Sequence, residues 1–508
     1  MVSMTQPRQL RPMAKRAATV RHMPWLGMVA ALFVVLQLAF VVVHLHLGWD
    51  ETVYISQVDP RHPAAFFSAP RSRGISLLVA PVLAVTGSTI VLRVVLALAS
   101  AVALWAAFRV WQPILGRVAV ALAALMFATL WVTVLYGPEV MPNLWVALVA
   151  VAAVGWFLRA VAPNASRRAP VAMAGCVAAA TLVRFSDGVW LAAALVVAAV
   201  LVRAWRRPIP VVAVVVGLAL GSAQWVVEAY VRWGGVTGRL VASGSAEGGM
   251  WPHWNVGNAW RGLSGPLLCR PCTSAPPPVG HTLWWLALPP LAVAASVVAV
   301  RVRKPAATLL PVACATALAV PYLLLLNYSA PRFLLPAYAL LSLPLATLAI
   351  RVVRSVRTDT ARTIAVAGLV TLFAAHLSTQ YADLRDNLLG TEANTARYAT
   401  VADALHRLGL RAPCLVTGTK APPIAYYAGC ASADVSGNNR DITVAAVERR
   451  AADEPTAALA KTADGPPPYA RTWTATRIAG TGLTAYMPGR RASGSVGDNR
   501  SRRPSPRR

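Results

Sequence analysis

The chain is dominated by long apolar stretches separated by short links that carry arginine. Candidate spans fall at 25–48, 88–110, 118–136, 143–160, 171–185, 188–204, 209–231, 280–300, 306–326, 333–350 and 363–380. An α-helix rises about 1.5 Å per residue, so crossing about 30 Å of hydrocarbon takes about 20 apolar residues. With 57% of 508 residues hydrophobic and 13% charged, a soluble core could not hide these runs. The expectation is an all-α polytopic membrane bundle of about eleven transmembrane helices.

A further apolar stretch, GISLLVAPVLAVTG at 74–87, is too short to span, is broken by Pro81 and closes at Gly87. If it lies along the interface, five basic links fall on the same side as the N-terminus. They hold Arg109/Arg117, Arg159/Arg167/Arg168, Arg203/Arg206/Arg207, Arg301/Arg303/Lys304 and Arg351/Arg354/Arg357/Arg362. That side is cytoplasmic by the positive-inside rule. If the stretch spans, all five move outside. We therefore expect an interfacial or re-entrant helix at 74–86, a cytoplasmic N-terminus and an extracytoplasmic C-terminus. Arg71 and Arg73, basic residues near the outer face, fit this scheme poorly.

Four regions follow. Residues 1–24 form a basic cytoplasmic arm with Arg8, Arg11, Lys15, Arg16 and Arg21. The run behind it is too long for a signal-peptide core of about 7–15 residues and reads as an uncleaved anchor. Residues 25–380 form the transmembrane domain. Residues 381–488 alternate helical and strand-like patterns (TARYATVADALHRLGL, CLVTG, PPIAYYAGC, TRIAGTGLTAYMP), as a small extracytoplasmic α/β C-terminal domain would. Residues 489–508 are rich in Arg, Ser, Pro and Gly and are expected to be disordered. The net charge of +29 sits mainly in the links and termini, where membrane orientation and anionic membrane lipids account for it. That distribution argues against a nucleic-acid partner. Only four of the 48 basic residues are lysines.

The expected topology gathers five segments on the outer face: 49–73, YGPEVMPN at 136–143, RFSDG at 184–188, 232–279 and NYSAPRF at 327–333. Asp50 and Glu51 directly follow the first apolar run. They are either a helix end reaching water, with Trp49 and Tyr54 as interface aromatics, or a catalytic pair. A carboxylate beside a second carboxylate has a raised pKa, which suits a general base. Glu139 is expected to begin a helix after Pro138, where the helix dipole would stabilise its charge by up to about 1 kcal/mol. Arg184 and Asp187 are either a local ion pair in a turn or site residues at the end of an apolar run. Arg332 has no local acidic partner, and an arginine there could hold a phosphate bidentately.

His44 and His46, two residues apart, would not share a helix face, which disfavours a joint metal site with Asp50. CRPC at 269–272 has zinc-like spacing without a second pair of ligands, so a disulfide is expected, with each other or with the outer-domain cysteines. Cys414 and Cys430 could form another. Cys176 and Cys314 lie in apolar segments and are expected to be inert.

A first outer loop that opens with Asp50-Glu51, with Tyr54 three residues on, resembles the integral-membrane glycosyltransferases of the GT-C superfamily. Protein O-mannosyltransferases and the lipid A aminoarabinose transferase belong to it. The resemblance continues through the interfacial helix ending at Gly87, LRVVLALASAVALWAAFRVW (92–111), YGPEVMPNLWVAL (136–148), TLVRFSDGVW (181–190) and APRFLLPAYALL (330–341). It covers roughly residues 25–350 in order. It implies a GT-C-like fold and transfer of a sugar from a polyprenyl-phosphate donor on the outer face, with the acidic residue of the first loop as base. Asp50 and Glu51 are then the candidate catalytic residues. Tyr54, Glu139, Arg184, Asp187 and Arg332 are the candidate substrate-binding residues, with Arg184 and Arg332 facing the phosphate. A divalent metal ion could share that task, as several relatives require one, but no ligand set is assigned. The outer tail is no recognisable module of the family, which leaves the acceptor open among glycan, lipid and protein. A transporter or lipid flippase, or a non-catalytic membrane scaffold, are the alternatives.

Overall fold

The computed structural model describes residues 24–437 and 439–489. The basic residues Arg8 to Arg21 and nearly all of the 489–508 tail lie outside the described residues. Among the described residues, eight helices are long and apolar enough to cross a membrane. They are Trp25–Val42, which begins as α1 (Trp25–Gln37) and ends in a π-helical turn, α4 (Thr89–Arg109), α8 (Pro142–Ala160) and α11 (Pro208–Trp233). The others are α14 (Val279–Arg301), α15 (Ala306–Leu324), Pro331–Ser355, whose α16 covers Leu335–Ser355, and α17 (Asp359–Arg407).

Three expected spans are shorter apolar helices: α6 (Arg117–Ala128), α9 (Arg168–Val183) and α10 (Phe185–Leu201). The expected span 118–136 is therefore two helices, with α7 (Trp131–Tyr136) restarting after an extended Leu130. The 74–87 stretch forms α3 (Gly74–Val85), which runs through Pro81 instead of breaking there. α2 (Trp49–Ser56) and the short α5 (Gln112–Leu115), α12 (Val236–Ala246) and α13 (Val256–Arg261) complete the bundle.

Small residues let the helices approach. Gly217 and Gly221, one turn apart on α11, face α9, where a Cβ would stand 2.4 and 2.3 Å from the carbonyl oxygens of Ala174 and Ala178. Without water between helices in lipid, such backbone contact supplies the packing. α8 is the most enclosed of the long helices, with 78% of its apolar window buried. The site is built at the N-terminal end of α8, where Met141 and Pro142 line its cavity.

α17 is 49 residues long and runs past the expected boundary at 380/381 without a break. Leu384, Leu388, Tyr398, Val401, Ala402 and Leu405 on it are all buried, so its polar half is amphipathic. It leads into a five-stranded sheet of β1 (Leu415–Gly418), β2 (Ala431–Ala433), β3 (Thr456–Lys461), β4 (Thr474–Ile478) and β5 (Leu483–Met487) in the order β2-β1-β3-β5-β4. β2, β1 and β3 are parallel, linked by α18 (Ala421–Ala428) and α19 (Val444–Asp453), while β5 and β4 are antiparallel additions. Cys414 and Cys430 are disulfide-bonded across the β1–α18 unit, and Cys269 is bonded to Cys272. Cys176 and Cys314 are free.

Candidate active site

The expected end of the first span at residue 48 is displaced. The helix stops at Val42, an irregular link covers 43–48, and Asp50 and Glu51 open a separate helix, α2. They are therefore in the first turn of a new helix and not at the frayed end of a span. Adjacent helical residues project about 100° apart, so the two carboxylates face different surroundings.

Glu51 turns inward. One oxygen accepts from Gly48 N at 2.8 Å and the other from Val140 N at 2.9 Å, and the Arg93 guanidinium meets both at 3.0 and 3.2 Å. Arg93, fully buried on α4, also donates to the carbonyls of Leu45, His46 and Pro138. This pair ties the link after α1 to the link before α8.

Asp50 turns the other way, with 31% of its side chain exposed to a cavity of about 1130 Å³. Arg71 donates to one oxygen at 2.7 Å and Arg332 to the other at 3.2 Å. Arg332 lies 282 residues away in sequence, so the acidic partner it lacks locally is Asp50. The raised pKa expected for Asp50 is reversed. Burial pushes the carboxyl up, but Arg71 and Arg332 outweigh it and hold it below its ordinary value. Glu51 is spent on Arg93 and does not supply the like-charge push.

Glu139 does not begin a helix. It sits in the irregular stretch between α7 and α8, whose first residue is Pro142. Its carboxylate faces the cavity without a hydrogen bond or ion pair among the described residues, and burial together with the charge of Glu51 pushes its pKa well above the ordinary carboxylate range. Arg184 bridges the end of α9 and the start of α10, its guanidinium 5.6 and 5.4 Å from the rings of Tyr322 and Phe333. Asp187 lies behind it, 3.4 Å away, and accepts from the Tyr322 hydroxyl at 2.5 Å. So Asp50, Glu51, Tyr54, Glu139, Arg184 and Arg332 line one cavity, and Asp187 braces Arg184 from outside it.

Several lining residues escaped the sequence reading. Arg71 carries a signal, being a basic residue on the wrong side for topology; it is held over Tyr54 and against Asp50. Arg270 enters through the loop closed by the Cys269–Cys272 disulfide, which exchanges backbone hydrogen bonds with Ser329 and sets Leu267 O to accept from Arg332 at 2.9 Å. Lys420 and Lys461 come from the C-terminal domain, and no local pattern marks them. That domain is fastened to α2 and its flanks. Tyr427 accepts from Leu47 N at 2.8 Å, Tyr426 donates to Asp59 at 2.7 Å, and the Lys420 ammonium stands 5.2 Å from the Trp49 ring. α17 is latched to the bundle through Gln380, which accepts from Trp131 N, and Asp383, which meets His281 at 2.7 Å.

A divalent ion wants several hard oxygen ligands. Asp50 is already held by two arginines, and among the described residues no three His, Cys, Asp or Glu side chains gather as a ligand set.

No protein-family model matches the chain, and no curated protein matches it. Solved structures do. The crystal structure of ArnT from Cupriavidus metallidurans bound to undecaprenyl phosphate superposes with a TM-score of 0.63 at 16% identity, over 91% of this chain and 98% of that one. The apo state of the same protein gives 0.63 and 16%, over 91% and 97%. The apo oligosaccharyltransferase of Archaeoglobus fulgidus gives 0.53 and 12%, over 87% of this chain and 70% of that one. Bundle, juxtamembrane helices and C-terminal domain together share the fold of these two proteins.

Proposed function

We propose that the protein transfers a sugar from a polyprenyl-phosphate donor to an acceptor hydroxyl on the outer face of the membrane. The observation that carries this reading is Asp50, held between Arg71 and Arg332 in a cavity formed between the bundle's end and the outer domain. A carboxylate that accepts a proton and arginines that accept a leaving phosphate are the two groups such a transfer needs, within one side chain's reach of each other. ArnT, similar in fold, is bound to undecaprenyl phosphate.

The acceptor oxygen attacks the anomeric carbon, its proton passes to an Asp50 oxygen, and the bond from that carbon to the phosphate oxygen breaks. The phosphate leaves with the electron pair, and its growing charge meets Arg71, Arg332 and Arg184. Asp50, held by Arg71 and Arg332, is a weak base. A donor phosphate competes for those arginines, and each contact it takes returns basicity to Asp50. Donor binding thus readies the base. Glu51, saturated by Arg93 and two backbone amides, is a positioning residue in this scheme. Glu139 holds a proton more readily than Asp50 and is placed to donate one hydrogen bond to a sugar oxygen.

The test is to incubate purified protein with a panel of polyprenyl-phosphate sugars and measure release of sugar or of polyprenyl phosphate. Turnover of at least one donor, abolished in Asp50→Asn, is expected. Failure of every donor to react, even with water as acceptor, would remove the reading.

A further inference from the structure

The outer domain's sheet presents its binding edge to the cavity. β1 lies between its parallel neighbours β2 and β3, and the chain leaves β1 for β2 on one side but leaves β3 for β4, beyond β5, on the other. That makes β1/β3 a switch point, where ligands of open α/β sheets bind outside the carboxyl ends of the strands. The residues just past those ends, Thr419 and Lys420 after β1 and Lys461 closing β3, all line the cavity that holds Asp50.

Two further facts give the crevice a chemistry. Lys420 and Lys461 are two of only four lysines in the chain, and neither has a carboxylate partner among the described residues. Their charges oppose each other, and burial followed by Lys461 pushes the Lys420 ammonium below its ordinary pKa. Lys420 is also held at φ 62°, a left-handed backbone that a non-glycine residue adopts at a cost. A phosphate cradle of backbone amides is ruled out at this turn, because Pro422 and Pro423 occupy the first turn of α18 and have no N–H to offer. The anion-binding capacity of the crevice resides in the two ammonium groups.

We propose that this crevice is the acceptor subsite and takes an acceptor bearing an anionic group, phosphate or carboxylate, close to the reacting hydroxyl. The proposal rests on the glycosyltransferase reading above. The donor's own phosphate is anchored to the bilayer by its lipid and is served by Arg71, Arg184 and Arg332, on the bundle wall. The lysines come from the C-terminal domain, and the Lys420 ammonium stands 5.2 Å from the ring of Trp49, the residue before Asp50.

The experiment uses the full-length protein in detergent. Binding of sn-glycerol 1-phosphate and galacturonate is compared with that of glycerol and galactose, and undecaprenyl phosphate binding is measured alongside. The variants are Lys420→Gln/Lys461→Gln and the charge-preserving Lys420→Arg/Lys461→Arg. Wild type is expected to prefer both anionic probes, the glutamine pair to lose about tenfold of that preference or more, and the arginine pair to keep most of it. Undecaprenyl phosphate binding should be the same in all three proteins. An anion preference that is absent in wild type, or that survives in the glutamine pair, overturns the proposal. So does a loss of undecaprenyl phosphate binding in the glutamine pair, since the lysines would then serve the donor. If wild type itself fails to bind undecaprenyl phosphate, the donor reading falls, and the anion comparison still decides what the crevice holds.

Discussion

Glutamine at position 51 would keep the shape of the side chain and remove its charge. Glu51 is 3% exposed and Arg93 is 1% exposed, so solvent cannot screen the change. All four donors now around the carboxylate, two from Arg93 and the amides of Gly48 and Val140, would face a group that has one acceptor oxygen and one NH2. Breaking a buried pair from one side costs about 3–5 kcal/mol, because the remaining charge is left without compensation. That is a large share of a folding stability on the order of 5–15 kcal/mol. Glu51→Gln should therefore lower the thermal midpoint and the monodisperse yield sharply. Asp50→Asn, on the partly exposed face of the same turn, should keep both near wild type and lose a factor of about 10²–10⁴ in turnover. Adding Arg93→Met to Glu51→Gln should recover part of the loss, and the double-mutant cycle measures the coupling. A Glu51→Gln protein within about 1 kcal/mol of wild type, with turnover lost as in Asp50→Asn, would refute the assignment and make Glu51 a partner in the chemistry.

Arg332→Ala should weaken undecaprenyl phosphate binding by about tenfold or more, the scale of a charge-assisted hydrogen bond, with a smaller effect on kcat; equal binding would remove Arg332 from the phosphate site. Because Arg71 and Arg332 hold the Asp50 carboxyl below its ordinary value, the base is ionised above that value and lost only as pH falls through the lowered one. The kcat/KM profile of wild type should then show no acid limb between about pH 5 and 7, and Arg332→Ala should move the limb upward; a wild-type limb near neutrality would contradict this. Cys414→Ser/Cys430→Ser opens a loop with a sequence separation of 16, which should destabilise the outer domain by about 3 kcal/mol, read as an earlier melting step.

The bundle was legible because spanning helices announce themselves by length and composition. Boundaries were less so. Leu130, Pro81 and Val42 show why: hydropathy does not register where a helix pauses inside an apolar run, or whether a proline is accommodated. Asp50 and Arg332 could be named separately, but their meeting joins positions 282 residues apart, and no periodicity carries that information. Arg71 was visible as a misfit, and misfits to a topology rule often mark a charge with a buried task. Asp50 and Glu51 looked equivalent as a dipeptide. Only the helix that starts beneath them turns one onto Arg93 and sets the other between Arg71 and Arg332. Lys420 and Lys461 were beyond sequence, since strand order alone decides that their loops are neighbours.

The unbroken run of α17 makes the outer domain's position a matter of helical phase. Gln380, buried against the bundle, and Tyr398, buried against the outer domain, are eighteen residues apart, which is five turns at about 3.6 residues each, so both anchors lie on one side of the rod. One residue inserted between them would swing the roof by about 100° and carry the two lysines off the cavity. Length can change without loss of register only in steps of about 7, 11 or 18 residues, each step of seven lifting the roof by about 10 Å. A helix that can be lengthened only in such steps acts as a ruler, and the space it measures is the height of the cavity between Asp50 and the sheet.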